Sequence, residues 1–132
     1  MKISEGLMKV SINTANWKVG GFKTFVVDVL QGRELLVEPG LTVLTLPDGL
    51  IFEFYGTGSC CPDYLFSHSN VVNTYRVMDI QLALDRLEKC GGTLLGNVVN
   101  MSSSNCYCHV CLDDGSVMGL MQYNTDNAVD DE

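Results

Sequence analysis

The alternation of apolar and polar residues in the second half of the chain predicts a strand, a helix and three further strands. Residues 71–79, VVNTYRVMD, alternate and are rich in residues that suit strands. Asp79 is a predicted N-cap, and Gly91 and Gly92 predict the end of the helix. Between them, four apolar residues recur at three- and four-residue spacing on one helical face: Ile80, Ala83, Leu84 and Leu87. A strand, TLLGNVVN, and a hairpin through Asp113–Gly115 follow.

The first half of the chain repeats this order. LMKVSIN is strand-like, and WKVGGFKTFVVDVL is helix-like from about Lys18, with a predicted end at Gly32. Gly20 and Gly21 weaken the first turn of this helix. Its predicted apolar face comprises Phe22, Val26, Val29 and Leu30. ELLVEPG is strand-like, and a hairpin at Asp48-Gly49 closes the unit.

The two hairpins are the most similar parts of the halves. TLPDGLIFEFYG (45–56) and CLDDGSVMGLMQ (111–122) both predict a strand, an Asp-Gly turn and a strand. The chain is therefore predicted to be a single α+β domain, 1–132, made of two βαβββ modules whose curved mixed sheets enclose a shared cavity. The predicted bounds are 7–56 for the first module, 57–70 for the linker, 71–123 for the second module and 124–132 for a disordered acidic tail.

Composition limits the classes of partner. A formal net charge of −8 argues against nucleic acid, whose phosphates would be repelled. No apolar run reaches the ~20 residues that span a bilayer, so no membrane partner is expected. The N-terminus MKISEGLMKVS lacks the apolar stretch of a secretory signal, and a cytoplasmic location is expected. The six cysteines are accordingly predicted to be reduced thiols packed as small hydrophobic residues.

The paired modules, with FKTFVVDVLQG, YRVMDIQLALDRLEKCGGTLLG and the ending DDGSVMGLMQ, resemble the vicinal-oxygen-chelate superfamily over about residues 7–123. That group includes glyoxalase I, extradiol dioxygenases, fosfomycin-resistance enzymes and bleomycin-resistance proteins. The resemblance implies the glyoxalase/bleomycin-resistance-like fold and a homodimer. Function does not follow from the fold.

The resemblance also implies where a metal would bind. Enzymes of the superfamily hold a divalent ion through one residue of the first and one of the fourth strand of each module, usually His, Glu or Gln. The matching positions here are Lys9 or a neighbour, Glu53, Val72 and Gly119. Glu53 alone is a ligand for such an ion, as a weak candidate, and Lys9 would bring a competing positive charge. We therefore expect no metal and no other cofactor.

The segment NCYCHVC contains four soft ligands within six positions. It is predicted to be a strand, in which neighbouring side chains point to opposite faces. Alternation places Cys106 and Cys108 on one face and His109 and Cys111 on the other. The four side chains then cannot converge on one tetrahedral ion, and buried thiols are favoured. His109 is a candidate base or hydrogen-bond donor if its face lines the cavity, and no other residue is a catalytic candidate.

The same alternation predicts which residues line the cavity. Starting from Glu53 and Gly119, the inward surface is apolar and aromatic with few polar groups, which suits a hydrophobic or cationic organic ligand. Ser11, Asn13 and Arg76 are further candidates for this surface. The predicted ligand-binding residues are Trp17, Ile51, Glu53, Tyr55, Val72, Thr74, Val117, Gly119, Met121 and Tyr123.

Three functions remain open on the sequence alone. The leading one is a metal-free protein that sequesters a small organic ligand, cationic or aromatic, as bleomycin-resistance proteins do, and that is not an enzyme. A second is a metal-dependent lyase, isomerase or dioxygenase of the same superfamily. A third is a non-catalytic assembly module whose cavity is filled by side chains.

Overall fold

The computed structural model describes residues 5–15, 20–58, 61–102 and 105–123. The helices and strands follow the predicted order β-α-β-β-β twice, which confirms the α+β fold class. Their bounds are β1 Gly6–Asn13, α1 Gly20–Asp28, β2 Arg33–Glu38, β3 Leu41–Thr45, β4 Ile51–Tyr55, β5 Val71–Val77, α2 Ile80–Lys89, β6 Thr93–Asn100, β7 Cys106–Cys111 and β8 Val117–Gln122. Within these ranges, no helix is long and apolar enough to cross a membrane. The predicted tail, 124–132, lies outside the described residues.

Two compact units make up the chain. The N-terminal unit is Met8–Asn73, and the C-terminal unit is Thr74–Glu132 together with Met1–Leu7. The strand order is β2-β3-β4-β1 in the first and β5-β8-β7-β6 in the second. In both, the first strand of the module pairs in parallel with the last strand, and the other neighbours are antiparallel. Each unit therefore contains a mixed four-stranded sheet with the same connectivity.

The core of the N-terminal unit lies between α1 and one face of its sheet. Val26 of α1 is fully buried against Ile12 of β1, Leu44 of β3, and Phe52 and Phe54 of β4. Lys9, Ser11 and Asn13, and likewise Ile51, Glu53 and Tyr55, alternate with these core residues. They form the opposite face, which we call the helix-free face of this unit.

The C-terminal unit buries its core in the same way. Cys108 of β7 and Leu120 of β8 are buried against Ile80 and Leu84 of α2. The predicted apolar face of α2 is confirmed, because Ala83 and Leu87 also pack on this cluster. The helix-free face of this unit carries Thr74, His109, Val117, Gly119 and Met121.

The ends of α2 are those that the sequence predicts. The Asp79 carboxylate accepts a hydrogen bond from the backbone N–H of Leu82 at 3.0 Å. The helix ends at Lys89, where Gly91 takes a φ of 93° and the N–H of Gly92 donates to the carbonyl of Leu87 at 2.8 Å. Both devices satisfy backbone groups that a helix end leaves without partners.

The prediction for α1 is wrong at its C-terminal end. The helix ends at Asp28, so Val29 lies beyond it and is 60% exposed instead of sharing the buried face. The rest of the predicted face is in place: Leu30 packs on the core, and the partly exposed Phe22 ring lies 5.8 Å from that of Phe52. The cause is Gln31, whose φ of 63° turns the chain before Gly32 is reached.

The two Asp-Gly hairpins are alike in their hydrogen bonds as well as in sequence. In the first, the N–H of Leu46 donates to the carbonyl of Leu50 at 2.9 Å, and the N–H of Gly49 donates back to Leu46 at 2.9 Å. In the second, Leu112, Ser116 and Gly115 make the same two bonds at 2.8 and 3.0 Å. Gly49 and Gly115 both have φ above 90°, which a residue with a side chain rarely adopts.

Candidate functional site

The helix-free face of the N-terminal unit centres on the carboxylate of Glu53. Glu53 lies on β4 directly opposite Ser11 of β1, and Lys9 is two residues before Ser11 on the same face. Tyr55 is two residues beyond Glu53. We refer to these four residues, Lys9, Ser11, Glu53 and Tyr55, as the Glu53 cluster.

Hydrogen bonds and an ion pair hold both oxygens of the Glu53 carboxylate. Oε1 accepts from the Ser11 hydroxyl at 2.8 Å and from the Tyr55 hydroxyl at 3.0 Å. Oε2 lies 3.4 Å from the ammonium of Lys9. The Glu53 side chain is only 15% exposed, so the pairing offsets the cost of removing a carboxylate from water.

Aromatic side chains border the cluster. The ring of Tyr55 makes an edge-to-face contact with Phe66, with ring centroids 5.8 Å apart. Phe66 follows the buried residue Leu65 in the segment between β4 and β5. The polar cluster therefore has an apolar, aromatic wall on the Tyr55 side.

On the helix-free face of the C-terminal unit, Gly119 lies between two polar residues. Thr74 of β5 and His109 of β7 are both directly opposite it, one on each side of β8. A Cβ atom on residue 119 would be 2.5 Å from Oγ1 of Thr74, so the Thr74 side chain leans into the space that glycine leaves. The imidazole of His109 also makes an edge-to-face contact with Tyr107, at 6.1 Å between ring centroids.

The cysteines of β7 lie where alternation predicts. Cys106 and Cys108 are buried on the helix side, and Cys111 shares the other face with His109. Burial raises the pKa of the Cys108 thiol to about 11, with a smaller contribution from neighbouring Cys106. Burial also raises the pKa of Cys106. The prediction that all six cysteines pack as small hydrophobic residues is wrong for Cys90, which is exposed after the end of α2, and Cys60 lies outside the described residues.

Arg76 and Tyr123 form a pair at the end of the C-terminal sheet. The guanidinium lies 5.0 Å from the centroid of the Tyr123 ring and donates to the Tyr123 carbonyl at 3.1 Å. Burial lowers the pKa of Arg76 from its usual value, although the nearby Tyr123 raises it in part. Tyr123 is therefore engaged by Arg76 and is about half exposed.

A divalent metal does not fit the positions that the resemblance indicates. Glu53 is engaged on both oxygens, and the Lys9 ammonium brings a positive charge to within 3.4 Å of it. The pairing also shows that Ser11 and Thr74, which are poor ligands, stand opposite Glu53 and Gly119. Among the residues that the structure describes, no three His, Cys, Asp or Glu side chains are grouped so that they could hold a metal ion.

The structure brings the predicted residues together in two sets, one in each unit. Ile51, Glu53 and Tyr55 share the N-terminal helix-free face, and Thr74, Val117, Gly119 and Met121 share the C-terminal one. Val72 is buried on β5, and Trp17 lies outside the described residues. Sequence reasoning missed Phe66 and Tyr107. Tyr107 could have been found, because it is two residues before His109 on a strand, whereas Phe66 lies in a segment without periodicity.

A groove of about 330 Å³ lies elsewhere, beside the start of α2. It is lined by Glu5, Val77, Met78, Asp79, Leu82, Ala83 and Arg86. Glu5 accepts a hydrogen bond from the backbone N–H of Met78 at 2.8 Å. The predicted ligand-binding residues that the structure describes do not line this groove, so we do not assign the site to it.

Solved structures of low sequence identity share this fold. A glyoxalase/bleomycin resistance protein/dioxygenase superfamily member from Vibrio splendidus 12B01 is 18% identical, with a TM-score of 0.59, and the match covers 91% of this chain and all of that one. A hypothetical protein from Bacillus halodurans C-125 has a TM-score of 0.61 at 13% identity, over 94% and 98% of the two chains. Methylmalonyl-CoA epimerase from Mycobacterium tuberculosis has a TM-score of 0.59 at 16% identity, over 94% and 91%.

At the level of sequence, no family model and no curated protein matches the chain. Solved structures that are less than one fifth identical in sequence establish the fold of this chain. They leave its reaction open, because this fold carries several functions. The predicted resemblance is confirmed by the architecture: the chain has the fold of the glyoxalase/bleomycin resistance/dioxygenase superfamily.

Proposed function

We propose that the chain is a metal-independent binding protein for a small organic ligand that combines an aromatic group with a hydroxyl or carbonyl group. The observation that supports this most is the Glu53 cluster, in which an ammonium, two hydroxyls and a carboxylate converge on one sheet face. The site presents both donors and an acceptor at its centre. A neutral polar group of the ligand can therefore exchange hydrogen bonds with it.

The charge of the cluster narrows the ligand class. Lys9 already compensates the Glu53 carboxylate, so a cationic ligand would have to displace an ammonium that is part of the same chain. A neutral ligand avoids this competition. Tyr55 and Phe66 provide the apolar, aromatic wall against which its ring can pack.

The fold also supports an enzyme, since methylmalonyl-CoA epimerase shares it, but no contact among the described residues favours one reaction. Burial favours a second candidate instead, a non-catalytic module. Ser11, Val72 and Thr74 are each less than 5% exposed in the chain alone, as core residues are. In that case the helix-free faces are packed interior and bind nothing.

A ligand screen with one matched pair of variants tests the proposal. The probes are a panel of neutral phenols and aromatic ketones, with aromatic ammonium compounds as a second arm. Glu53→Gln removes the central charge, and Glu88→Gln makes the same change on the exposed side of α2. A ligand present at 100 times its Kd stabilises the folded state by about 2.7 kcal/mol, which calorimetry detects as a higher Tm.

We expect a neutral probe to raise the Tm of the wild type and of Glu88→Gln, but not that of Glu53→Gln. Stabilisation by the ammonium compounds alone would contradict the proposed ligand class, and no stabilisation by any probe would favour the non-catalytic module. Treatment with EDTA and then with Zn²⁺, Mn²⁺ or Ni²⁺ should leave the Tm unchanged. Stoichiometric metal binding that depends on Glu53 would favour the metal-dependent enzyme.

A further inference from the structure

The strand β2 is an exposed apolar edge. It pairs with β3 and ends the strand order of the N-terminal unit. All six of its residues are exposed, and three in a row are apolar: Leu35 is 61% exposed, Leu36 42% and Val37 58%. An edge strand of this kind can accept another strand, because within the described part of the chain no strand pairs with the outer side of β2.

A β-bulge in β2 decides which side chains share a face. The register with β3 shifts between Glu34 and Leu36, so Leu35 is an extra residue. As a consequence, Arg33 and Glu38 both lie on the helix-free face, opposite Thr45 and Leu41. In a regular strand, residues five positions apart would point to opposite faces.

Glu34 and Val37 lie together on the other face of β2, the face of α1, because they stand opposite Leu44 and Thr42. On the helix-free face, β2 therefore carries a positive charge at its start, Arg33, and a negative charge at its end, Glu38. This arrangement is complementary to itself when the strand direction is reversed. Antiparallel pairing with a second β2 would place Arg33 opposite Glu38 on the same face at both ends.

We propose that β2 is a self-association surface, through which two copies of this chain join their sheets edge to edge. In the pair, Arg33 of each copy faces Glu38 of the other, and the leucines of the two strands meet at the centre. Directly opposite side chains on paired strands lie about 5 Å apart, close enough for an ion pair. Both α1 helices then lie on the same side of the extended sheet.

The dimer should be weak. A strand of six residues buries much less than the roughly 1,600 Å² of a standard interface, and interfaces at the small end of the range are weak and transient. Each copy also carries a net charge of −8. Experiments therefore belong at about 150 mM salt, where the Debye length is about 8 Å and distant charges are screened while contacting pairs are not.

Complementary charge reversals test this pairing directly. Arg33→Glu makes both ends of β2 negative, and Glu38→Arg makes both ends positive. Each variant alone places like charges opposite each other, so sedimentation velocity should show a Kd at least about tenfold higher than that of the wild type. Mixing the two variants restores both attractive pairs and should give a one-to-one heterodimer of wild-type affinity.

Controls separate this surface from general charge effects. Glu88→Arg, on the exposed side of α2, changes the net charge as Glu38→Arg does and should associate at least as well as the wild type. Leu35→Lys is a second disruption that leaves the end charges in place, and it should also weaken association. The thermal unfolding of each variant shows that it is folded.

Three results would overturn the proposal. The first is a wild type that stays monomeric up to about 1 mM, a concentration at which even a weak dimer would be populated. The second is association that neither reversal weakens, since another surface would then be responsible. The third is a mixture of Arg33→Glu and Glu38→Arg that does not form heterodimers while both variants are folded.

Discussion

The requirement for glycine at position 119 comes from a neighbouring side chain across the sheet. Gly119 stands opposite Thr74 on β5, and the Thr74 side chain occupies the volume that a Cβ at position 119 would need. The glycine is required by this close approach and not by its own backbone angles. A substitution there acts on packing between two strands, within the C-terminal unit.

We predict that Gly119→Ala lowers the free energy of unfolding by about 2 kcal/mol, because the new Cβ would lie 2.5 Å from Oγ1 of Thr74. Chemical denaturation measures the change. Adding Thr74→Ala should recover part of the loss, since it removes the oxygen that collides. Gly21→Ala is the matched control: apart from its chain neighbours and the backbone of α1, no atom of the described residues lies within 4 Å of its Cβ position, and it should stabilise the chain by up to about 1 kcal/mol. Equal effects of the two glycine substitutions would contradict this explanation.

Cys108 predicts a pH dependence of stability at alkaline pH. Its pKa is raised by burial to about 11 from an ordinary value of 9.0, so the folded chain holds the proton more tightly than the unfolded chain. Between these values the unfolded chain loses more protons, and stability must fall as the pH rises through this window. Urea unfolding at pH 8 and pH 10.5 measures the fall. It should be smaller in Cys108→Ala and unchanged in Cys90→Ala, whose thiol is exposed; the same fall in all three proteins would contradict the prediction.

The residues of the candidate site could be predicted as members of a face, but not as contacts. Alternation places Glu53 and Tyr55 together, and it places Cys108 away from His109. It does not tell whether Lys9 or Ser11 stands opposite Glu53, because a register shift of two residues leaves every side chain on the same face of the sheet. That register is set by pairing between β1 and β4, which are distant in sequence. Phe66 was beyond prediction because turns have no repeating pattern.

Among the elements, the two helices differ in how well the sequence specifies them. The bounds of α2 follow from a capping aspartate, a regular apolar face and a glycine pair, and all three signals agree. For α1 the apolar residues continue through Val29 and Leu30, past the point where the helix stops at Asp28. The helix ends there because Gln31 adopts a positive φ. No residue type in this stretch predicts that conformation.

The N-cap of α2 gives a prediction at this scale. Asp79→Ala should cost about 1 kcal/mol, because the N–H of Leu82 loses its acceptor and the helix N-terminus loses a nearby negative charge. Asp79→Asn keeps the acceptor and should retain most of the stability. Thermal unfolding monitored by circular dichroism compares the three proteins. If Asp79→Ala and Asp79→Asn lose the same amount, charge alone, and not capping, accounts for the effect.

At the scale of the whole molecule, sixteen acidic and eight basic residues leave a net charge of −8. Repulsion among these charges destabilises the compact state, and salt screens it. We predict that raising NaCl from about 10 mM to about 150 mM, which shortens the Debye length from about 30 Å to about 8 Å, increases the Tm by about 3 °C, or roughly 1 kcal/mol for a chain of this size. Choline chloride should act equally, since screening does not depend on the cation. A decrease in Tm would mean that attractive ion pairs outweigh the net repulsion.

The matching hairpins at 46–50 and 112–116 have a consequence for how the chain tolerates change. Their backbones make the same hydrogen bonds although aspartate replaces proline at the second position and serine replaces leucine at the fifth. The two loops thus share a leucine, an aspartate, a glycine and the path of the main chain. One loop could therefore be transplanted into the place of the other, or a foreign peptide inserted at either turn, while the flanking strands keep their register.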